Sequence, residues 1–212
     1  QQLSGINAIM MYAMDICAQA GMQSVRLSCI RVMSTQVVLG MLPLVLVQRI
    51  GRRALLQFAG LTMCVSHLGL AYDLMARERS MWTPPWLSLA SLSLYVVGFS
   101  VGMGPVPWIV LPEVFPVEVV GAASAIATGV GWSFAFIVCV EFRALQAYLG
   151  ADGVFLLFAM FCLACFVFVT CFVPETKGKT VEEVLAALHG LASDVTSPIP
   201  RLAEAHPKVF CS

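Results

Sequence analysis

The chain has 212 residues, of which 59% are hydrophobic and 11% charged, with a mean hydropathy of +0.88. Its 12 basic and 12 acidic residues give a formal net charge of zero, which excludes a nucleic-acid binder needing excess cations for phosphates. The high hydrophobicity excludes intrinsic disorder, and a soluble domain carries roughly 25% charged residues.

A bilayer core about 30 Å thick needs roughly 20 apolar residues per crossing helix. Six stretches meet this length: residues 3–21, 27–47, 54–75, 86–111, 119–140 and 153–173. The last three hold no Asp, Glu, Lys or Arg, whereas the first three hold Asp15, Arg31, and His67 with Asp73. Residues 154–173 lack the polar–apolar alternation of a β-barrel strand. Backbone groups in lipid must pair within their own segment, so the spans are predicted to be helices. The expected fold is all-α and membrane-embedded: a six-helix bundle over residues 1–173 and a tail over 174–212.

The connections are polar. Gln48-Arg49-Ile50-Gly51-Arg52-Arg53 joins the second and third spans, and Pro112-Glu113-Val114-Phe115-Pro116 follows the fourth. After Val173 comes Pro174-Glu175-Thr176-Lys177-Gly178. Thr180 to Glu183 then fits a capping box opening a short amphipathic tail helix. Basic residues near the membrane are slightly more numerous on the side of Arg49, Arg52, Arg53, Lys177 and Lys179, which favours that side as cytoplasmic. The start on Gln1-Gln2, without Met or a basic n-region, is expected to carry no cleavable signal peptide.

No metal or nucleophile constellation stands out. His67, His189 and His206 are scattered, and Cys162-x-x-Cys165 falls mid-span among Phe and Leu, where small packing residues belong. No phosphate-cradling Gly-rich loop marks an ATP motor. No cofactor, metal or enzymatic chemistry is expected.

The informative residues are amides and helix breakers inside apolar spans. Gln1, Gln2, Ser4 and Asn7 cluster in the first span. Each amide both donates and accepts without charge, which suits a neutral polyhydroxylated solute; glue between neighbouring helices is the alternative. Gln2 and Asn7 stand about 140° apart on an ideal helix, so they share a cavity only if it wraps the helix or the helix unwinds near Gly5. In the fourth span, Pro105 and Pro107 remove two backbone donors. The resulting kink should leave carbonyls free, either lining a cavity or simply bending the helix, with Trp108 offering an indole N–H and an apolar face. Gly98-x-x-x-Gly102 points to close helix packing. Asp15 and Arg31 are charges within spans; Arg31 can snorkel, and Asp15 is a candidate proton-coupling acid.

Taken together, Gln1-Gln2-Leu3-Ser4-Gly5-Ile6-Asn7 with Tyr12, Gly51-Arg52-Arg53, Gly104-Pro105-Val106-Pro107-Trp108, Pro112 to Pro116, and Pro174 to Gly178 resemble the sugar porter family of the major facilitator superfamily. The resemblance covers about residues 1–190 and matches the second half of that family's twelve helices, so an N-terminal six-helix bundle is expected as the missing partner. It implies carriage of a small neutral sugar, a hexose or polyol, by alternating access, with a cytoplasmic tail. It also implies substrate contacts at Gln1, Gln2, Asn7, Gln36, Phe99 and Trp108, and gating or hinge roles for Tyr12, Gly104, Pro105 and Pro107. A cytoplasmic conformational network is implied at Arg52, Arg53, Glu113 and Glu175. Gln1→Leu is expected to abolish transport while leaving folding and insertion intact.

Four positions depart from the family pattern. Ser100 stands where many glucose carriers have Glu, and Gly131 where they have Asn before a Trp. Gln48 replaces an acid and Val120 a basic residue of the cytoplasmic network, which should weaken the lock that closes the cytoplasmic side. A different reading is a half-length product that associates with a full-length carrier and regulates it.

Overall fold

The computed structural model describes residues 1–21, 24–179 and 183–186. Among these residues all regular structure is helical. A 3-10 turn, Gln2–Ser4, precedes α1 (Ile6–Met11) and α2 (Ala13–Gln19); α3 (Val25–Leu39) and α4 (Pro43–Ile50) follow. Next come α5 (Arg52–Glu78), α6 (Leu87–Gly98), a π-helical turn Phe99–Met103, α7 (Val106–Val114) and α8 (Val117–Phe172).

Three segments are long and apolar enough to cross a membrane: Arg52–Glu78, Leu87–Val114 and Val117–Phe172. The first two expected spans are not continuous helices. The first breaks at Gly5, which is left-handed at φ 83° and ψ 11°, and again at Tyr12 (φ −105°, ψ 20°). The second breaks before Pro43, which opens α4 at a position where its missing N–H would be unpaired anyway.

Conversely, residues 141–149, expected as a connection, continue the helix. At 56 residues α8 would be about 84 Å long if straight, far more than a bilayer core of about 30 Å. Gly150, at φ 78° and ψ 165°, divides it into two limbs. Of the predicted tail helix, residues 183–186 are described and are helical; the rest lies outside the described residues.

The core is organised around α5, which packs against α6 on one side and α8 on the other. Leu55, Ala59, Met63 and Leu70 of α5 are buried there with Val96 of α6 and Phe155 and Phe158 of α8. Backbones approach closely at Gly102, where a Cβ would lie 2.4 Å from the Leu55 carbonyl oxygen. A side chain at that position would force α5 away from the π turn. The outside of the bundle is apolar as well. Val37, Ile126 and Met160 are 73%, 67% and 63% exposed, an arrangement that water penalises and lipid does not.

Candidate functional site

The site begins where the chain fails to be helical. At Gly5 a Cβ would lie 2.5 Å from the Phe158 ring. Positive φ and this contact both require glycine. The break releases the Ser4 carbonyl from helical pairing. It accepts instead from His67 Nε2 at 3.0 Å and from the Tyr95 hydroxyl at 3.2 Å. A carbonyl only accepts, so His67 carries its proton on Nε2. Ser4 Oγ donates to the Gln1 carbonyl at 2.6 Å, which holds the turn closed.

The second break faces the first. The Gly104 N–H donates to the Phe99 carbonyl at 2.7 Å, a bond spanning five residues rather than four. Pro107 has no N–H for the Met103 carbonyl one turn earlier. The carbonyls expected to be free are nevertheless paired. Gln1 Nε2 donates to both Met103 O and Gly104 O at 3.0 Å. This amide uses both hydrogens on the kink and keeps only Oε1 to offer a ligand.

Gln2 is spent the opposite way. Its Oε1 accepts from Asn7 Nδ2 at 2.5 Å, and its Nε2 lies 4.0 Å from where a Cβ on Gly131 would stand. Gln1 thus keeps an acceptor and Gln2 a donor, on two residues that line one cavity. Each hydroxyl of a polyol needs such a pair.

These residues line a cavity of about 390 Å³ with Pro107, Trp108, Gly131 and Phe134. Asn7 lines an adjoining hollow of about 570 Å³ with Met10, Trp132, Phe136 and Cys139. The helix does unwind at Gly5, but Gln2 and Asn7 face separate hollows linked by their mutual hydrogen bond. Gln36, on α3, and Phe99 line neither cavity. The Phe99 ring stacks against Tyr95 at 6.4 Å and packs beneath Gly104. The hydroxyl of Ser100 is buried without a hydrogen-bond partner.

Tyr12 lies farther along the same segment. Its ring stacks on Phe142 at 4.9 Å and its hydroxyl donates to the Cys139 carbonyl at 3.4 Å. The Arg143 guanidinium covers the other part of this ring at 5.1 Å and pairs with Asp15 at 2.8 Å.

A separate charged cluster closes the end of the bundle near the start of α5. Arg52 Nη2 pairs with Glu113 Oε1 at 2.6 Å, and Thr176 Oγ1 donates to Glu113 Oε2 at 2.7 Å. Glu175 accepts the backbone N–H groups of Arg52 at 2.9 Å, Arg53 at 3.2 Å and Lys177 at 3.0 Å. The Arg53 side chain reaches the Thr170 carbonyl. Burial pushes the Glu175 carboxyl up, but backbone donors from Lys177, Arg52, Arg53 and Thr176 outweigh it and hold the group below its ordinary range. The four charged residues predicted from sequence thus meet at one place, whereas Gln48 and Val120 contribute no bond to it. Among the described residues no group of three or more His, Cys, Asp or Glu could hold a metal ion.

Residues 1–188 match the family model described as "Sugar (and other) transporter". The chain belongs to this family. It is 36% identical over 192 residues to the facilitated trehalose transporter Tret1 of Bombyx mori, covering 87% of this chain and 37% of that protein. It is 35% identical over 209 residues to solute carrier family 2, facilitated glucose transporter member 8 of Mus musculus, covering 90% and 44%. Among solved structures it resembles the major facilitator superfamily proton:xylose symporter XylE bound to 6-bromo-6-deoxy-D-glucose. There the TM-score is 0.75 at 29% identity, over 89% of this chain and 40% of that one. The inward-open form of XylE from E. coli gives a TM-score of 0.74. The chain therefore spans less than half the length of these relatives. Family membership and the long apolar helices make it an integral membrane protein.

His67, Tyr95 and Phe134 were missed by sequence reasoning. For His67 a signal existed: an ionisable residue inside an apolar span is a functional candidate in its own right. It was passed over because it has no second histidine nearby.

Proposed function

We propose that this chain forms one six-crossing half of a carrier for a hexose-type neutral sugar. The crossings are α1 with α2, α3 with α4, α5, α6 with α7, and the two limbs of α8. Residues 174–212 form its tail on the cytoplasmic side. The observation that carries this reading is the pairing of a Gln1 acceptor with a Gln2 donor beside Trp108 in one cavity. Gln1 and Gln2 bind hydroxyls, Trp108 stacks on the sugar's C–H face, and Asn7 fixes the Gln2 amide. Gly104, Pro105 and Pro107 form the hinge. The cluster of Arg52, Arg53, Glu113 and Glu175 closes the cytoplasmic end in one of two facing states, while an N-terminal six-helix bundle supplies the opposite wall. Solved relatives of this fold bind xylose and a glucose derivative, and curated ones are glucose and trehalose transporters, which supports a sugar over other solutes.

Sugar must bind both facing states with similar strength, or it traps one of them. The test is counterflow uptake into vesicles carrying the full-length gene product, with a panel of hexoses and polyols. Saturable uptake of one of them, lost in Gln2→Ala, supports the reading. No uptake, together with altered transport by a co-expressed full-length carrier, would favour the regulatory half-molecule instead.

A further inference from the structure

We infer that His67 and Tyr95 are positioning residues for sugar binding, because together they clamp the one backbone carbonyl that sets the bearing of Gln1 and Gln2. The inference rests on the transport reading above. His67 is fully buried in the middle of α5, with its ring between Tyr95 (4.7 Å), Phe158 (5.7 Å) and Phe155 (5.9 Å). An apolar side chain would fill that aromatic cage without the penalty of desolvating an imidazole. What the imidazole adds is one N–H, directed at the Ser4 carbonyl from 3.0 Å. Tyr95, from α6, brings a second donor to the same oxygen. Both lone pairs of Ser4 O are thereby occupied from two different helices.

The consequence runs outward through short links. Ser4 Oγ holds the Gln1 carbonyl, and Gln1 Nε2 holds the carbonyls of Met103 and Gly104. Loosening Ser4 lets the Gln2–Ser4 turn shift, and the amides that face the cavity shift with it. Neither His67 nor Tyr95 lines that cavity, so neither touches sugar. Their loss weakens binding by misplacing Gln1 and Gln2, while the rocking of the two bundles is left alone.

The test compares His67→Leu, His67→Gln and Tyr95→Phe in the full-length carrier, reading KM and maximal rate separately. Tyr95→Phe removes a single oxygen, and His67→Gln keeps an N–H donor of similar reach. His67→Leu and Tyr95→Phe are expected to raise KM roughly three- to tenfold, the scale of one hydrogen bond. Maximal rate should stay within about twofold, and His67→Gln should recover most of the KM. Unchanged KM with a lowered maximal rate, or no difference between His67→Leu and His67→Gln, would overturn the inference. If the unaltered carrier moves none of the sugars tested, the transport reading fails, and hydrogen–deuterium exchange over residues 1–9 decides the clamp. Faster exchange in Tyr95→Phe supports it, and equal exchange refutes it.

Discussion

The carboxylate of Glu175 lies 2.9 Å from the backbone nitrogen of Arg52, across 123 positions of sequence, and caps α5 from outside the helix. The first N–H groups of a helix lack internal partners and attract negative charge. Gly51 makes room for this contact, since a Cβ there would lie 2.6 Å from Glu175 Oε2 and the residue sits at φ 101°. Gly51→Ala is expected to lower stability by about 1–3 kcal/mol from backbone strain. A thermal unfolding series on the purified protein measures it; an unchanged Tm would contradict the cap.

The same carboxylate predicts a pH dependence. Its folded pKa is depressed, so its contribution is complete above the ordinary carboxylate value of about 4.3. The contribution fades as pH falls from there through the lower, folded value. Glu175→Gln should be less stable than the unaltered protein at pH 7. The gap should narrow on acidification below about pH 4.3; a gap that widens with acid would exclude this account.

Gln1→Leu should fail in two ways. Removing the amide leaves the Met103 and Gly104 carbonyls unpaired, at about 1–3 kcal/mol for each buried group. The expectation that folding is untouched by this substitution is therefore revised. Uptake and Tm should fall together in Gln1→Leu, whereas Gln2→Ala should lose uptake with a much smaller change in Tm. Equal Tm values for the two variants would show that the Gln1 bonds contribute nothing.

Asp15 is paired with Arg143, and their side chains are 54% and 69% exposed. Pairs this open are worth about 0–1 kcal/mol. Asp15→Asn is expected to leave the pH profile of uptake unchanged, with Tm moved by less than about 4 °C in a chain of this length. A profile that loses its acid limb would restore Asp15 as a coupling group.

Gln48 and Val120 lie outside the Arg52–Glu113–Glu175 cluster. Gln48→Glu with Val120→Arg should add about 1 kcal/mol of closure at that end, roughly fivefold in population. Cysteine labelling from that side of the membrane should slow accordingly, and equal labelling of parent and double variant would remove the role given to these positions.

The helical class was legible in the sequence because apolar length is a local signal, whereas the meeting of Arg52, Glu113 and Glu175 was implied only by the resemblance of their motifs to the sugar porter family. Gly98 and Gly102 also announced the tight packing of α6 and its π turn on α5. The partners of the amides were not legible. Whether Gln1 Nε2 meets a sugar or the Met103 carbonyl depends on how two broken helices face each other, and spacing along one chain holds no such information. The interruption before Pro43 carried a signal in the proline itself, which the marking of residues 27–47 as one span by apolar length did not use. Phe99 fits a cavity-facing position by pattern, but the π turn that begins with it directs its ring to Tyr95.

The widened turn at Phe99–Met103 holds one residue beyond a regular α-turn. A residue in such a turn advances by less than the roughly 100° of an α-helix, so the turn takes up its additional residue without swinging the helix beyond it far around the axis. Trp108 thus keeps its place in the pocket wall despite the additional residue, and excising a single position such as Val101 would narrow the turn while leaving the indole on nearly the same bearing, with Pro105 and Pro107 still bending the segment.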